Sequence, residues 1–298
     1  MTVSIVMAAK NYARFLPQAV RSVFAQTYAD WELVVIDDGS TDDTPSAVRP
    51  FLADARVTYV RSDVLGQSRA KNLGVRLSRG AFVAFLDADD AWLPTKLEKQ
   101  VALFAANPEL GVAFSKRWLI DEAGNRLPTP IANPPRGRVA DAIFVRNFVC
   151  FSSAVVRREL FDRVGGFDPM RDLSIDYDLW LRAAPHYDFD FVDEELVLYR
   201  TGHGNLSQKL SDRIATAYGI MNAACRRGGF GRSAVAEGYA STAASMAWLL
   251  RGAEPWRSLR WYLRALAHPS CRGQTLRGAF GVFKRRGELS PENRPENV

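Results

Sequence analysis

The chain has 298 residues, of which 47% are hydrophobic and 24% charged, with a formal net charge of +6 and three cysteines. These proportions exclude a disordered or fibrous chain and leave room for one large α/β domain with an appendage, or two modest domains. Cys150, Cys225 and Cys271 are odd in number and far apart, which excludes a disulfide framework and cysteine-based metal spacing and fits a reducing compartment.

Val3 to Ala8 reads as a strand, and no basic region with a long apolar stretch and cleavage site precedes it, so the expected location is cytoplasmic. A helix is expected near Ala13 to Gln26, because Leu16, Ala19, Val20, Val23 and Phe24 recur on one helical face. The strand Glu32 to Ile36 runs into Asp37-Asp38-Gly39-Ser40-Thr41-Asp42, a segment rich in turn and capping residues. Strand Val57 to Val60, a helix near Gln67 to Ser78 and strand Ala81 to Leu86 follow, and the last of these runs into Asp87-Ala88-Asp89-Asp90. Pro94 suits the start of a helix over Thr95 to Ala105. Strands alternating with amphipathic helices imply a mostly parallel sheet covered on both faces. Ligands of such sheets bind outside the carboxyl ends of the strands, where both acidic clusters fall.

From Gly111 to about Arg200 the strands are expected to be shorter and the helices less regular, with Pro128, Pro130, Pro134 and Pro135 marking a loop. After Gly204 the pattern is mainly helical. No apolar run approaches the roughly 18 residues of a spanning helix, Tyr239 to Leu250 being the best candidate. The charge divides unevenly: residues 1 to 204 carry 24 basic and 27 acidic side chains, whereas residues 205 to 298 carry 15 and 6.

Asp87 and Asp89 are alternate residues at a strand end, so their carboxylates point the same way and would converge on a hard divalent cation, Mg²⁺ or Mn²⁺. The competing reading is a solvated acidic turn that caps the next helix. Asp90 carries the same alternative, and Asp37 is as readily a residue that shapes its turn.

Several segments together resemble the family 2 inverting glycosyltransferases of the glycosyltransferase-A fold, over roughly residues 2 to 208. Ser4-Ile5-Val6-Met7 with Asn11, Ala19-Val20-Arg21-Ser22-Val23 and Gln26-Thr27-Tyr28 are similar to the family's opening strand and helix. Glu32 to Asp42 is similar to its nucleotide-binding strand and turn, and Gly66-Gln67-Ser68-Arg69-Ala70-Lys71-Asn72 resembles its G-x-x-x-A-R-N segment. Gly165-Gly166-Phe167-Asp168 followed by Asp176-Tyr177-Asp178-Leu179-Trp180-Leu181-Arg182 resembles the segment that bears the catalytic base.

The resemblance implies an α/β catalytic domain over residues 1–204, with a nucleotide-sugar half (about 1–110) and an acceptor half (111–204), followed by a basic helical extension over 205–298. It implies that the main chain at Ala8 and Ala9 lies along base and ribose, that Asp38 bonds an imide edge such as uracil's, and that Arg69 approaches the base or phosphates. A surface helix arginine is an equal reading of Arg69. Lys10 stands where the family commonly has an aromatic ring and would reach a phosphate instead. Asp87 would take the ribose hydroxyl and Asp89 the metal, and His203, in a segment like the family's mobile loop, would help hold diphosphate or metal. A plain loop histidine is the alternative for His203.

Asp176 would be the general base that takes the proton of an acceptor hydroxyl, with Asp178 as the other candidate. Ile175 occupies the first position of the family's usual Glu-Asp pair. The implied reaction moves a sugar from a nucleotide diphosphate donor, a UDP-sugar being favoured, to a glycan or lipid-linked glycan hydroxyl in one metal-assisted, inverting displacement. The alternative is a catalytically inactive nucleotide-binding module of the same fold. A nucleotidyltransferase lacks its Gly-rich basic loop here, and the acidic catalytic half argues against nucleic acid. Residues 251–286 hold nine Lys or Arg against one acid, with interleaved aromatics. Two readings stand for them: peripheral contact with an anionic membrane surface, or aromatics packed inward with arginines in water.

Overall fold

A computed structural model describes residues 2–129, 133–203, 210–252 and 254–266. In chain order its elements are β1 (Val3–Ala9), α1 (Leu16–Phe24), β2 (Trp31–Asp38), α2 (Thr44–Val48), β3 (Val57–Ser62), α3 (Gln67–Leu77), β4 (Phe82–Phe85), β5 (Ala91–Trp92) and α4 (Lys96–Ala106). There follow β6 (Leu110–Ile120), β7 (Arg126–Leu127), α5 (Ala140–Val145), β8 (Val155–Arg157), α6 (Glu159–Val164), α7 (Ile175–Ala183), β9 (Asp188–Arg200), α8 (Leu210–Arg227), α9 (Arg232–Leu250) and α10 (Pro255–Leu266).

The strands form one sheet in the order β3-β2-β1-β4-β8-β6-β9-β5, with β7 on β6. Strands β3, β2, β1 and β4 are mutually parallel, β8 runs against β4 and β6, and β9 is again parallel to β6. Six chain segments, after β1, β2, β3, β4, β6 and β9, therefore leave the sheet at the same edge.

Alternation along the strands decides which face each side chain buries. Val3, Ile5, Met7, Leu33 and Val35 join Leu16, Ala19, Val20 and Val23 of α1 and Leu97, Val101 and Phe104 of α4 in one buried cluster. The intervening Val34 and Ile36 bury against Ala70 and Leu73 of α3 on the opposite face. Gly74 permits that approach, since a Cβ there would lie 2.5 Å from Val6 Cγ1. Pro17 sits in the first turn of α1, which explains why that helix starts at Leu16 and not at Ala13: residues 12–15 form the preceding turn.

The expectation of shorter strands beyond Gly111 is corrected, because β6 has 11 residues and β9 has 13. The acidic run Asp193-Glu194-Glu195 hides β9. The register jumps there from Ser115 opposite Val192 to Lys116 opposite Glu195, so Asp193 and Glu194 bulge out while pairing resumes on either side.

Two compact units result, residues 1–138 with 149–205, and residues 139–148 with 206–298. In the second, Ile214, Met246 and Leu250 form a core joined by Leu210, Leu249 and Trp261. Helix α5 belongs with these C-terminal helices: the Phe144 ring lies against Phe230 at 4.8 Å, tilted by 51°, and a Cβ at Gly238 would meet Phe144 at 2.8 Å. No helix among the described residues is long and apolar enough to cross a membrane. Of the 251–286 segment, residues 267–286, with Phe280 and Phe283, lie outside the described residues, as do Asn205, Leu206 and Ser207.

Candidate active site

The parallel register sets Ala8 opposite Ile36 and Ala9 opposite Asp37, so the ends of β1 and β2 arrive together. Ala9 is buried and Lys10 is exposed. The chain then turns at Asn11, whose φ of 62° is left-handed. Asn11 Oδ1 accepts from the Thr41 main-chain N–H at 2.8 Å, and the Asn11 N–H donates to Ser40 Oγ at 3.0 Å, which ties the two strand ends into one rim.

Asp37 is fully buried: it accepts from the Ser40 N–H at 2.8 Å and from the Tyr59 hydroxyl at 2.6 Å, so it shapes the turn. Asp38, also buried, accepts from the Leu65 N–H at 2.5 Å and the Gly66 N–H at 3.1 Å. Its carboxylate holds the chain just before α3 and keeps two of its roughly four acceptor positions for other donors. Arg69, in the first turn of α3, is exposed.

The segment after β4 gathers the strongest electrostatics. Asp87 accepts from Lys71 Nζ at 2.9 Å; the lysine is 1% exposed and lies 4.5 Å from the centre of the Phe151 ring. Asp89 Oδ2 faces His203 Nε2 at 2.8 Å, both side chains being 8% exposed. Burial, reinforced by the charge of Asp87 and opposed by His203, lifts the Asp89 carboxyl to about 6. Burial and the charges of Asp89 and Asp87 likewise push Asp90 well above the usual carboxylate range. The Tyr12 hydroxyl is raised by the same two causes, burial first and then Asp89. His203 is walled by aromatic rings, with Phe15 at 4.9 Å and Tyr12 at 6.3 Å.

Such an arrangement fits a divalent cation. Three carboxylates crowd a poorly hydrated rim, and Asp90 Oδ2 and His203 Nδ1 are buried without a hydrogen-bond partner among the described residues. Neighbouring ligands of an octahedral ion with bonds of about 2.0–2.1 Å stand about 3 Å apart, close to the 2.8 Å that separates Asp89 and His203. Among the described residues no group of three or more His, Cys, Asp and Glu could hold an ion unaided. Mg²⁺ is usually held by one or two carboxylates with waters and substrate phosphates, so Asp89 would supply the carboxylate and His203 a further donor.

On the opposite half, Ser174 adopts a left-handed φ of 52° and turns the chain into α7, whose first turn carries Asp176 and Asp178. Asp176 is half-buried. Asp178 is buried and accepts from Arg182 Nε at 3.0 Å and from its Nη2 at 2.9 Å; Arg182 also donates to the carbonyls of Val164, Gly165 and Gly166. Asp178 thus anchors the Gly165-Gly166 segment. Ile175, 4% exposed, fills an apolar position.

The sequence model of the family described as Glycosyl transferase family 2 matches residues 4–165, which run from β1 through the acidic rim to the start of the Gly165-Gly166 segment. The chain belongs to that family. It is 34% identical over 183 residues to an uncharacterized glycosyltransferase of a Nostoc species, covering 57% of this chain and 55% of the relative. It is 30% identical over 206 residues to one of Methanocaldococcus jannaschii, covering 66% and 70%. An Escherichia coli UDP-Glc:alpha-D-GlcNAc-diphosphoundecaprenol beta-1,3-glucosyltransferase is 39% identical over 106 residues, 35% of this chain and 42% of that protein. The chain therefore spans about half the length of curated relatives it matches. Staphylococcus aureus TarS 1–349 in complex with UDP-GlcNAc superposes with a TM-score of 0.63 at 16% identity, over 95% of this chain and 90% of the other. The Pyrobaculum calidifontis mannosyltransferase PcManGT, in complex with GDP-Man and Mn²⁺, gives 0.63 at 20% identity, over 95% and 81%. The fold of this chain is accordingly the glycosyltransferase-A fold with added C-terminal helices.

Two residues of this rim escape a reading of the sequence. Lys71 sits inside a motif quoted for its pattern, and nothing in the pattern shows that its amine is buried against Asp87. Arg200, 2% exposed, donates to the main-chain oxygens of Asp89, Asp121 and Glu122, each at 2.9 Å, and to Gln18 Oε1 at 2.6 Å. Its own N–H donates to Asp90 Oδ1 at 2.8 Å. The one signal was an arginine closing an apolar strand, Leu196 to Tyr199.

Proposed function

We propose that this chain moves a sugar from a nucleotide diphosphate donor, a UDP-sugar being favoured, to a hydroxyl of a glycan or lipid-linked glycan, with inversion at the anomeric carbon. The observation that carries the reading is the pairing of Asp89 with His203 beside Asp87 at the carboxyl edge of the parallel strands. Solved structures of the same fold hold UDP-GlcNAc, or GDP-Man with Mn²⁺, which supports a nucleotide-sugar donor. The lipid-diphosphate acceptor in the name of the E. coli relative supports the acceptor class.

In this reading the base and ribose lie along the main chain at Ala8 and Ala9, with Asp38 and Asp87 bonding the uracil edge and a ribose hydroxyl and with Lys10 and Arg69 near the phosphates. Asp89 and His203 would hold Mn²⁺ or Mg²⁺. The cation, when bound, neutralises the charge that develops on the departing diphosphate. Asp176 takes the proton of the acceptor hydroxyl as its oxygen bonds to the anomeric carbon and the bond to the diphosphate breaks. Asp178 is spent on Arg182, which favours Asp176 as the base. One displacement inverts the centre and needs no enzyme nucleophile.

Calorimetric titration of UDP, GDP and ADP with and without Mn²⁺ tests the donor site. UDP preference that requires Mn²⁺, lost in Asp89→Ala, is expected; binding unchanged by chelator refutes the metal assignment. Asp176→Asn should keep UDP affinity and lose turnover. If the wild type binds UDP and neither transfers nor hydrolyses a UDP-sugar, the chain is an inactive module of this fold, a reading that the apolar Ile175 motivates.

A further inference from the structure

Helix α10 presents two unlike faces. Its inner face is settled by packing: Ser258 is fully buried and its hydroxyl donates to the Ala247 carbonyl at 2.6 Å, and Trp261 packs edge-on against Tyr218 at 5.3 Å. The outer face carries Trp256, 79% exposed, and Leu263, 58% exposed, among the most exposed large apolar side chains described. They are seven residues apart, two turns of helix, so they lie on one line with the exposed Arg260 between them. Arg257 and Arg264 flank that line on one side. Arg264 lies over the Trp261 ring at 4.7 Å, and Glu254, the one acid of this stretch, is engaged by Arg257 at 2.5 Å.

We infer that this face of α10 is a docking surface for a bilayer rich in anionic phospholipid, with Trp256 and Leu263 entering the boundary between headgroups and acyl chains. A basic helix with a tryptophan and a leucine on its exposed line has the chemistry of an interfacial helix. The charge is complementary: α10 carries Arg257, Arg260 and Arg264 and no acid, and Glu254 just before it is already paired with Arg257. A nucleic acid would satisfy the arginines and give a stacking partner to the tryptophan, but it would leave Leu263 without one, which is why a lipid surface fits better. The inference stands on α10 alone and holds whatever the donor and acceptor are.

The full chain is sedimented with vesicles of phosphatidylcholine, with and without phosphatidylglycerol. Binding is expected only with phosphatidylglycerol, weakening as salt rises. Trp256→Ser with Leu263→Ser is expected to reduce partitioning at least tenfold, as two large apolar side chains no longer leave water. Arg260→Glu with Arg264→Glu is expected to reduce it by more than tenfold, at about fivefold for each arginine removed. All four positions are exposed, and unchanged circular dichroism and UDP affinity show that the fold and donor site persist. Brominated lipids should quench a fraction of the tryptophan emission that disappears in Trp256→Phe. Equal partitioning of parent and variants, no binding to either vesicle, self-association through these residues without vesicles, or stronger binding to duplex DNA would each overturn the inference.

Discussion

Replacing Arg200 by methionine tests whether the acidic rim is held in place by this one side chain. The methionine keeps most of the aliphatic stem and removes four donated hydrogen bonds, to the carbonyls of Asp89, Asp121 and Glu122 and to Gln18 Oε1. It also removes the guanidinium 4.8 Å from the Phe15 ring. A buried acceptor stripped of its donor costs about 1–3 kcal/mol. Water can reach some of the freed carbonyls, so the total should fall at about 3–5 kcal/mol, as for other buried charged networks that lose one partner. Urea unfolding should show a lower midpoint at an unchanged slope. Since one of the lost bonds holds the main chain of Asp89 and the others tie it to residues 121–122 and to Gln18, affinity for UDP with Mn²⁺ should fall at least tenfold as well. Arg200→Lys should recover little of either loss, because an ammonium cannot reach acceptors spread over a planar fork. A loss of stability below about 1 kcal/mol would refute the view that Arg200 organises the rim.

Lys71→Met should change stability by no more than about 2 kcal/mol, since it relieves a desolvated amine and leaves the partly exposed Asp87 to water; UDP titration should nonetheless show weaker binding beside an uncompensated carboxylate. Gly74→Ala should destabilise by about 1–3 kcal/mol because its Cβ would meet Val6 Cγ1 at 2.5 Å, and thermal unfolding reads this directly. Lys96 is fully buried over the Trp92 ring at 3.8 Å, with no hydrogen-bond partner for its amine among the described residues, and burial drives it well below its ordinary value. A base depressed in the folded state favours the fold above its unfolded value and loses that favour as pH falls. The parent should therefore gain stability between pH 7 and 10 relative to Lys96→Met, by at most about 1.4 kcal/mol per pH unit. At pH 7 the variant should be the more stable, by about 1–3 kcal/mol, and equal pH profiles would sink the argument.

Much of the first unit follows from local chemistry. The alternation of Val3, Ile5 and Met7, the spacing of Leu16, Ala19, Val20 and Val23, and the turn residues after Ile36 and Leu86 place two acidic clusters at strand ends without reference to a distant residue. Strand β9 was illegible for a local reason, since Asp193 and Glu194 break the apolar alternation at a bulge. Residues 139–148 join the C-terminal helices through Phe144 and Gly238, whose fit depends on shape and not on pattern. The sequence by itself determined the four parallel strands of the first 90 residues, the helices between them and which strand ends bear the carboxylates, because periodicity and turn chemistry act over a few residues, whereas the antiparallel β8 and the long β6 and β9 came only with the structure. Only the tertiary structure decided which partner each charge has. Lys71 meets Asp87, His203 meets Asp89 across 114 residues, Asp178 turns to Arg182, and Trp256 faces outward while Trp261 faces in. Hydrogen bonds and burial of this kind depend on separations in space of a few ångströms, which spacing along the chain does not encode.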